Sequence, residues 1–288
     1  MRLRDELIST HHHWHSTMKV FTYPASTDTP AGVILAVHGF RGDHHGLARI
    51  TELLPEYTFI VPDLPGFGAS SPMDTEHDVE GYARVLDDLA SELQLGGHVI
   101  LLGHSFGSLV AAKLATLRVF SSLILLNPIS EPPLESSQRL IAAGAGVFYE
   151  ACAKLPAGVG ERILRSGLIT DAMSWFMTKS RDPQLRRYVR DQHRAYFSGF
   201  HNRQTLSQAY RASISHTVQQ WAPRIAEPVL MVGGEDDEMG SPDTQEQLRA
   251  SFPQAVLVML ENVGHLIHYE KPEETAWAIR EFLAGRLR

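Results

Sequence analysis

The chain has 288 residues, 43% of them hydrophobic and 20% charged, with 22 glycines and 16 prolines, which argues against a disordered chain and a collagen-like polymer. A formal charge of -7 excludes the broad basic field that nucleic-acid binding needs, and a single cysteine, Cys152, excludes an intrachain disulfide or a multi-thiolate metal site. That cysteine usage fits a reducing compartment and predicts a cytoplasmic protein. MRLRDELIST followed by HHHWH has no apolar signal-peptide core, and no run reaches the length of about 18 apolar residues that a membrane span requires.

In chain order, short apolar runs recur at Val33 to Val37, Thr58 to Val61, His98 to Leu102, Leu123 to Leu126, Val229 to Val232 and Ala255 to Leu260. Apolar on both faces and followed by glycine, proline or an amphipathic stretch, they predict parallel strands covered by helices on each side. Between the second and third runs, Val79, Tyr82, Ala83, Leu86, Leu89, Ala90 and Leu93 repeat at helical spacing, which predicts a crossover helix.

The rhythm stops after Asn127-Pro128 and resumes at Pro228. The spacing therefore predicts a core of residues 1–130 and 221–288 carrying an inserted helical cap at 131–220. That insert carries 12 basic against 7 acidic residues, a charge of +5, whereas the remainder stands at -12. A basic cap attracts an anionic substrate; solvated arginines on exposed helix faces are the ordinary alternative. Residues 140–149, LIAAGAGVFY, with Trp175, Phe176 and Met177, are expected to pack the cap onto the core, or else to line an acyl or aromatic pocket.

The third run ends in Gly103-His104-Ser105-Phe106-Gly107-Ser108 and passes into the helix-favouring LVAAKLATL, so Ser105 sits at a strand-to-helix turn. Glycine on each side leaves no side chain to collide where such a turn is crowded, and the helix N-terminus directs N–H groups at the site. A serine hydroxyl is a weak nucleophile until a base takes its proton. His265 follows the last strand run in Asn262-Val263-Gly264-His265, and Gly234-Glu235-Asp236-Asp237 follows the one before it. The order serine, acid, histidine is that of a nucleophile-elbow hydrolase.

On these residues the chain resembles the α/β-hydrolase superfamily, in its cap-bearing branch, over about residues 20–288. Gly103 to Gly107 resembles the nucleophile elbow, Asp63-Leu64-Pro65-Gly66-Phe67-Gly68 the tight turn after an early strand, and Gly264-His265 with Glu270 and Pro272 the histidine loop. The resemblance implies a doubly wound, mostly parallel α/β sheet with an inserted helical cap. It places the acid at Asp237, three residues after a glycine, with Asp236 the alternative. The variant with its acid one strand earlier is disfavoured by Asn127. His38-Gly39-Phe40-Arg41-Gly42 resembles the oxyanion loop, which assigns the backbone N–H groups of Phe40 and Phe106 to an oxyanion and makes His38 an orienting residue rather than a base.

These assignments imply a serine hydrolase of a small, largely hydrophobic carboxylic ester that needs no cofactor. A carbon–carbon hydrolase of a vinylogous diketone and a non-catalytic small-molecule receptor are the alternatives. An epoxide hydrolase or dehalogenase is disfavoured, since similar enzymes carry aspartate where this chain has Ser105. His11, His12, His13 and His15, or His44 with His45, offer metal ligands, but no carboxylate-histidine spacing resembles a hydrolytic metal motif, so no metal is expected. The expected partner is a small-molecule substrate, with neither nucleic acid nor a membrane span; a homodimer is left open.

Overall fold

The computed structural model describes residues 6–134 and 139–287; residues 1–5, 135–138 and 288, which include part of the segment read as a cap, lie outside the described residues. Eight strands form one sheet: β1 (Leu7–His13), β2 (Ser16–Tyr23), β3 (Gly32–Val37), β4 (Tyr57–Pro62), β5 (Ile100–His104), β6 (Ser122–Leu126), β7 (Val229–Gly234) and β8 (Ala255–Leu260). Their spatial order is β1-β2-β4-β3-β5-β6-β7-β8. From β4 to β8 every pairing is parallel, while β1 and β2 join antiparallel at one edge. The six runs read from the sequence all form strands, although the third begins two residues later than expected, after a turn in which the Val99 N–H bonds the Gly96 carbonyl.

The helices are α1 (Ala48–Leu53), α2 (Val79–Glu92), α3 (Phe106–Ala115), α4 (Arg139–Lys154), α5 (Ala157–Leu164), α6 (Gly167–Met177), α7 (Pro183–Tyr196), α8 (Arg203–Ser215), α9 (Pro242–Ser251), α10 (Ile267–Glu270) and α11 (Pro272–Leu283). The Asp78 side chain accepts from the Gly81 N–H and starts α2 where the helical spacing begins. Alternate strand residues feed two cores. Leu35, Val37 and Leu101 meet Leu86 of α2 and Leu109 of α3 on one face, and Ile34, Ala36 and Leu102 meet Ile50 of α1 and Ile279 of α11 on the other. Helices α4 to α8 lie between β6 and β7 in the chain.

The chain runs from β3 outward to β4 and then back across β3 to β5, so the direction of winding reverses between β3 and β5. A parallel sheet opens a crevice beyond the carboxyl ends of its strands at such a switch point. The loops that follow β3, β5, β6, β7 and β8 all emerge on that edge.

The candidate active site

Ser105 follows β5 directly and has φ 53° and ψ -120°, in the half of conformational space that side chains avoid. The strain is held by close approach on both sides. A Cβ on Gly103 would fall 2.3 Å from the Gly107 carbonyl oxygen, and one on Gly107 would fall 2.3 Å from that of Val37. The Ser105 N–H donates to the Leu126 carbonyl at 3.0 Å, and its own carbonyl accepts from Ser108 Oγ at 2.5 Å.

The structure brings the three singled-out side chains together, from loops far apart in sequence. His265 Nε2 lies 2.6 Å from Ser105 Oγ, while His265 Nδ1 lies 2.9 and 3.0 Å from the two carboxylate oxygens of Asp237. With an acid at Nδ1, that nitrogen carries the proton, and Nε2 is left to accept from the serine hydroxyl. All three residues are buried, whereas Asp236 is exposed, so burial separates the two candidate acids. Burial alone pushes the Asp237 carboxyl up. The opposing charge and hydrogen bond of His265, with donors from the Met239 N–H and Asn127, outweigh it and hold the group below the usual carboxylate range.

Sequence reasoning read Asn127 only as the absence of an acid. Its amide Nδ2 in fact donates to Asp237 Oδ2 at 2.6 Å and approaches the Gly264 carbonyl at 3.3 Å, joining the acid to the histidine loop. The signal available was its place directly after β6, next to β7 in the sheet.

His38 Nδ1 donates to the Gly39 carbonyl at 2.9 Å, and its Nε2 accepts from the Leu64 N–H at 2.9 Å. Both ring nitrogens are thus used by backbone, and burial lowers the imidazole's pKa. The Gly39 carbonyl also accepts from the Gly42 N–H at 3.1 Å. Because a trans peptide points its carbonyl and N–H in opposite directions, these two bonds fix the direction of the Phe40 N–H. Phe106 opens α3, so its N–H belongs to the first helical turn, which has no intrahelical acceptor.

Arg41, next in that loop, is the least expected feature. It is 1% exposed and has φ 61°. Its guanidinium donates to the carbonyls of Phe197 at 3.1 Å and Leu164 at 2.9 Å and to the Tyr149 hydroxyl at 3.3 Å. It thereby ties the loop after β3 to α4, α5 and the end of α7. Glu270 makes a second tie, accepting from the N–H groups of Lys179 and Ser180, and Lys179 pairs with Glu238.

Two cavities meet at Ser105. The larger, about 160 Å³, is lined by Phe40, Phe106, Ile129, Ile141, Phe176 and Tyr210 among others, and is largely apolar. The smaller, about 50 Å³, lies toward His38, His104, His268 and Tyr269. Of the segment expected to pack onto the core, Ile141, Ala142, Phe176 and Met177 face the larger cavity, whereas Leu140, Val147 and Trp175 are exposed.

Histidines crowd the second cavity and the packing behind it, where His193 lies against Tyr269. Burial lowers His104 and His193 to about 3, with the nearby His265 and Arg41 charges respectively adding to it, and lowers His268 well below its usual range. Neither ring nitrogen of His193 has a hydrogen-bond partner. An unfolded histidine binds its proton near pH 6.5, so between 6.5 and about 3 the unfolded chain takes up protons that the native one refuses. Stability is therefore full above pH 6.5 and falls on acidification, by about 1.4 kcal/mol per pH unit for each such histidine. The urea midpoint is expected to drop steeply from pH 6.5 to 4.5, and His193→Leu is expected to flatten that slope; equal slopes in both proteins would remove His193 from the account.

Among the described residues one group, Asp43, His44 and His45, brings potential metal ligands within 4.8 Å of one another. There His44 Nδ1 bonds Asp63 and His45 Nδ1 bonds Asp43. His11 and His13 both reach Glu92 of α2 at 2.8 Å. Among the described residues no helix is long and apolar enough to cross a membrane.

Comparison with known proteins agrees with this architecture. Lipase 3 of Moraxella sp. strain TA144 is 25% identical over 271 residues, spanning 91% of this chain and 81% of that protein. Lipase 1 of Psychrobacter immobilis is 26% identical over 251 residues, 84% of this chain and 74% of its own. The solved structure of a thermophilic esterase from Thermogutta terrifontis superposes with a TM-score of 0.74 at 23% identity, covering 99% of this chain and 100% of that one. The model of the alpha/beta hydrolase family matches residues 34–278, and the chain belongs to that family.

Proposed function

We propose that the protein is a serine hydrolase that cleaves the carboxylic ester of a small, largely hydrophobic substrate through an acyl-enzyme on Ser105. The observation that carries this reading is the unbroken chain of hydrogen bonds from Asp237 through His265 to Ser105, opening on an apolar cavity. The relatives named as lipases support an ester as the bond that is cut.

In this mechanism Ser105 Oγ attacks the ester carbonyl carbon while its proton passes to His265 Nε2. Asp237 stabilises the imidazolium that forms. The carbonyl oxygen, now negative, is held by the N–H groups of Phe40 and Phe106, worth roughly 3 kcal/mol per donor in comparable sites. Collapse breaks the bond to the alkoxy oxygen, which takes the proton from His265 Nε2 and leaves as alcohol. Water then attacks the acyl-enzyme with His265 again as base, releasing the acid and restoring Ser105. We assign residues 131–220 to a cap over this site, its helices supplying Ile141, Phe176 and Tyr210 to the wall that would receive the apolar part of the substrate.

Intact-mass analysis after fluorophosphonate treatment, beside turnover of short p-nitrophenyl esters, tests the proposal. One adduct on the wild type, none on Ser105→Ala, and ester turnover lost with Ser105 are expected. Labelling without ester turnover would favour carbon–carbon cleavage, and no labelling of the folded protein would favour a receptor.

A further inference from the structure

Helix α6 turns apolar side chains outward as well as inward, Met177 packing inside against Val189, Leu266 and Tyr269. A helix at the surface of a water-soluble protein turns its apolar stripe to the core, yet here Thr170 and Ser174, with Thr178 just beyond, are buried, while Leu168, Ala172, Trp175 and Phe176 are exposed. The exposed four fall at i, i+4, i+7 and i+8, one face of the helix. The buried hydroxyls of Thr170 and Thr178 bond back to carbonyls of their own helix, so the polar side makes do without water. Helix α4 also turns apolar residues outward: Leu140, Ala143, Gly144, Val147 and Ala151 share an exposed face, with charge entering only in the last turn, where Glu150 and Lys154 pair with each other. Leu140 and Leu168 are each 82% exposed, Trp175 73% and Val147 69%, far from the isolated surface leucine that needs no explanation.

Both helices reach the larger cavity, α6 through Phe176 of that face and α4 through Ile141, next to Leu140 in the chain. Beside Trp175, α7 contributes Arg186, Arg187 and Arg190 to a shallow depression. Asp171, the acidic residue lining it, pairs with Nε and Nη2 of the Arg194 guanidinium; Arg190 pairs with Asp191, and Arg186 donates to the carbonyls of Thr178 and Ser180. An apolar face with an indole at its border and arginines next to it matches the layering of a phospholipid surface, hydrocarbon beneath anionic headgroups.

We propose that the outward faces of α4 and α6 dock this protein on an anionic phospholipid bilayer, lying on the surface rather than spanning it, with the mouth of the apolar cavity turned toward the lipid. Charge selects this occupant over a second copy of the chain. A two-fold pairing would set the same basic insert, +5 by composition, against itself, whereas an anionic surface attracts it. The docking rests on the exposed faces and not on the ester chemistry, which can fail or hold separately.

The test is sedimentation of the full chain with phosphatidylcholine vesicles, with and without phosphatidylglycerol, read together with tryptophan emission and short-ester turnover. Binding is expected with phosphatidylglycerol, weakened by salt, and accompanied by a blue shift that disappears in Trp175→Phe. Leu140→Glu combined with Leu168→Glu is expected to weaken binding by roughly tenfold or more while leaving short-ester turnover unchanged. Both residues are exposed, and a far-ultraviolet spectrum checks that the variant remains folded. Absence of vesicle binding, equal binding to phosphatidylcholine alone, or binding unchanged in the double variant would each overturn the proposal. So would a dimer that the double variant splits and that binds no lipid.

Discussion

Replacing Asp237 with Asn is expected to lower kcat for a short ester by about four orders of magnitude. The carboxylate accepts the His265 Nδ1–H, and that bond is what leaves Nε2 free to accept the Ser105 proton. An amide can present its NH2 to Nδ1, which then accepts; the ring proton moves to Nε2 and faces the serine as a second donor. Asn127 adds to the loss, because its Nδ2, now donating to Asp237, would meet another amide. The exposed Asp236 provides the control, since Asp236→Asn leaves the hydrogen-bond chain untouched. Steady-state turnover of the two variants, with folding checked by thermal melting, decides between them. The opposite order of effects would move the acid by one position.

Arg41→Met is expected to cost roughly 3 kcal/mol or more of stability and most of the activity, although it lies outside the proton path. Methionine approximates the length of the side chain but abandons the buried carbonyl of Leu164 and the part-buried one of Phe197. Each buried acceptor left without a donor costs about 1–3 kcal/mol. The loss also loosens the loop that aims the Phe40 N–H, leaving the packing of the Phe40 ring on Tyr149 and Tyr210 and of His45 on Tyr196 to join it to α4, α8 and α7. Arg41→Lys should recover little, as a single ammonium does not span acceptors that a planar fork reaches together. Denaturant unfolding and limited proteolysis between residues 139 and 215 would report this; a variant as stable and active as the parent would show that the link is decorative.

Much of this fold was legible because parallel strands buried on both faces are apolar throughout, and six such runs stand out. The hairpin of β1 and β2 was not, for physical reasons. Its turn is made by Trp14 and His15 at φ 51° and 57°, where the usual residues are asparagine and glycine, and its outer strand exposes Leu7 and Ile8. Ser105, Asp237 and His265 could be picked out because each follows a strand in a chemically meaningful order. Asn127 and Arg41 could not, since their partners are set by which strands are neighbours and by a side chain folding back under the insert. Periodicity likewise marks α4 and α6 as having an apolar face without saying which way it looks.

The contact between Gly107 and the Val37 carbonyl has a kinetic implication. Ser105 adopts its strained geometry only when β3, β5 and β6 lie side by side, and its base and acid arrive with β8 and β7. These pairings close long stretches of chain, the slowest kind of contact to form. Recovery of hydrolysis during refolding therefore reports completion of the sheet from β3 to β8, whereas helical circular dichroism returns with the local order of the helices. A chain released from synthesis before β8 carries Ser105 without His265, so the proposed reaction would be confined to the finished molecule.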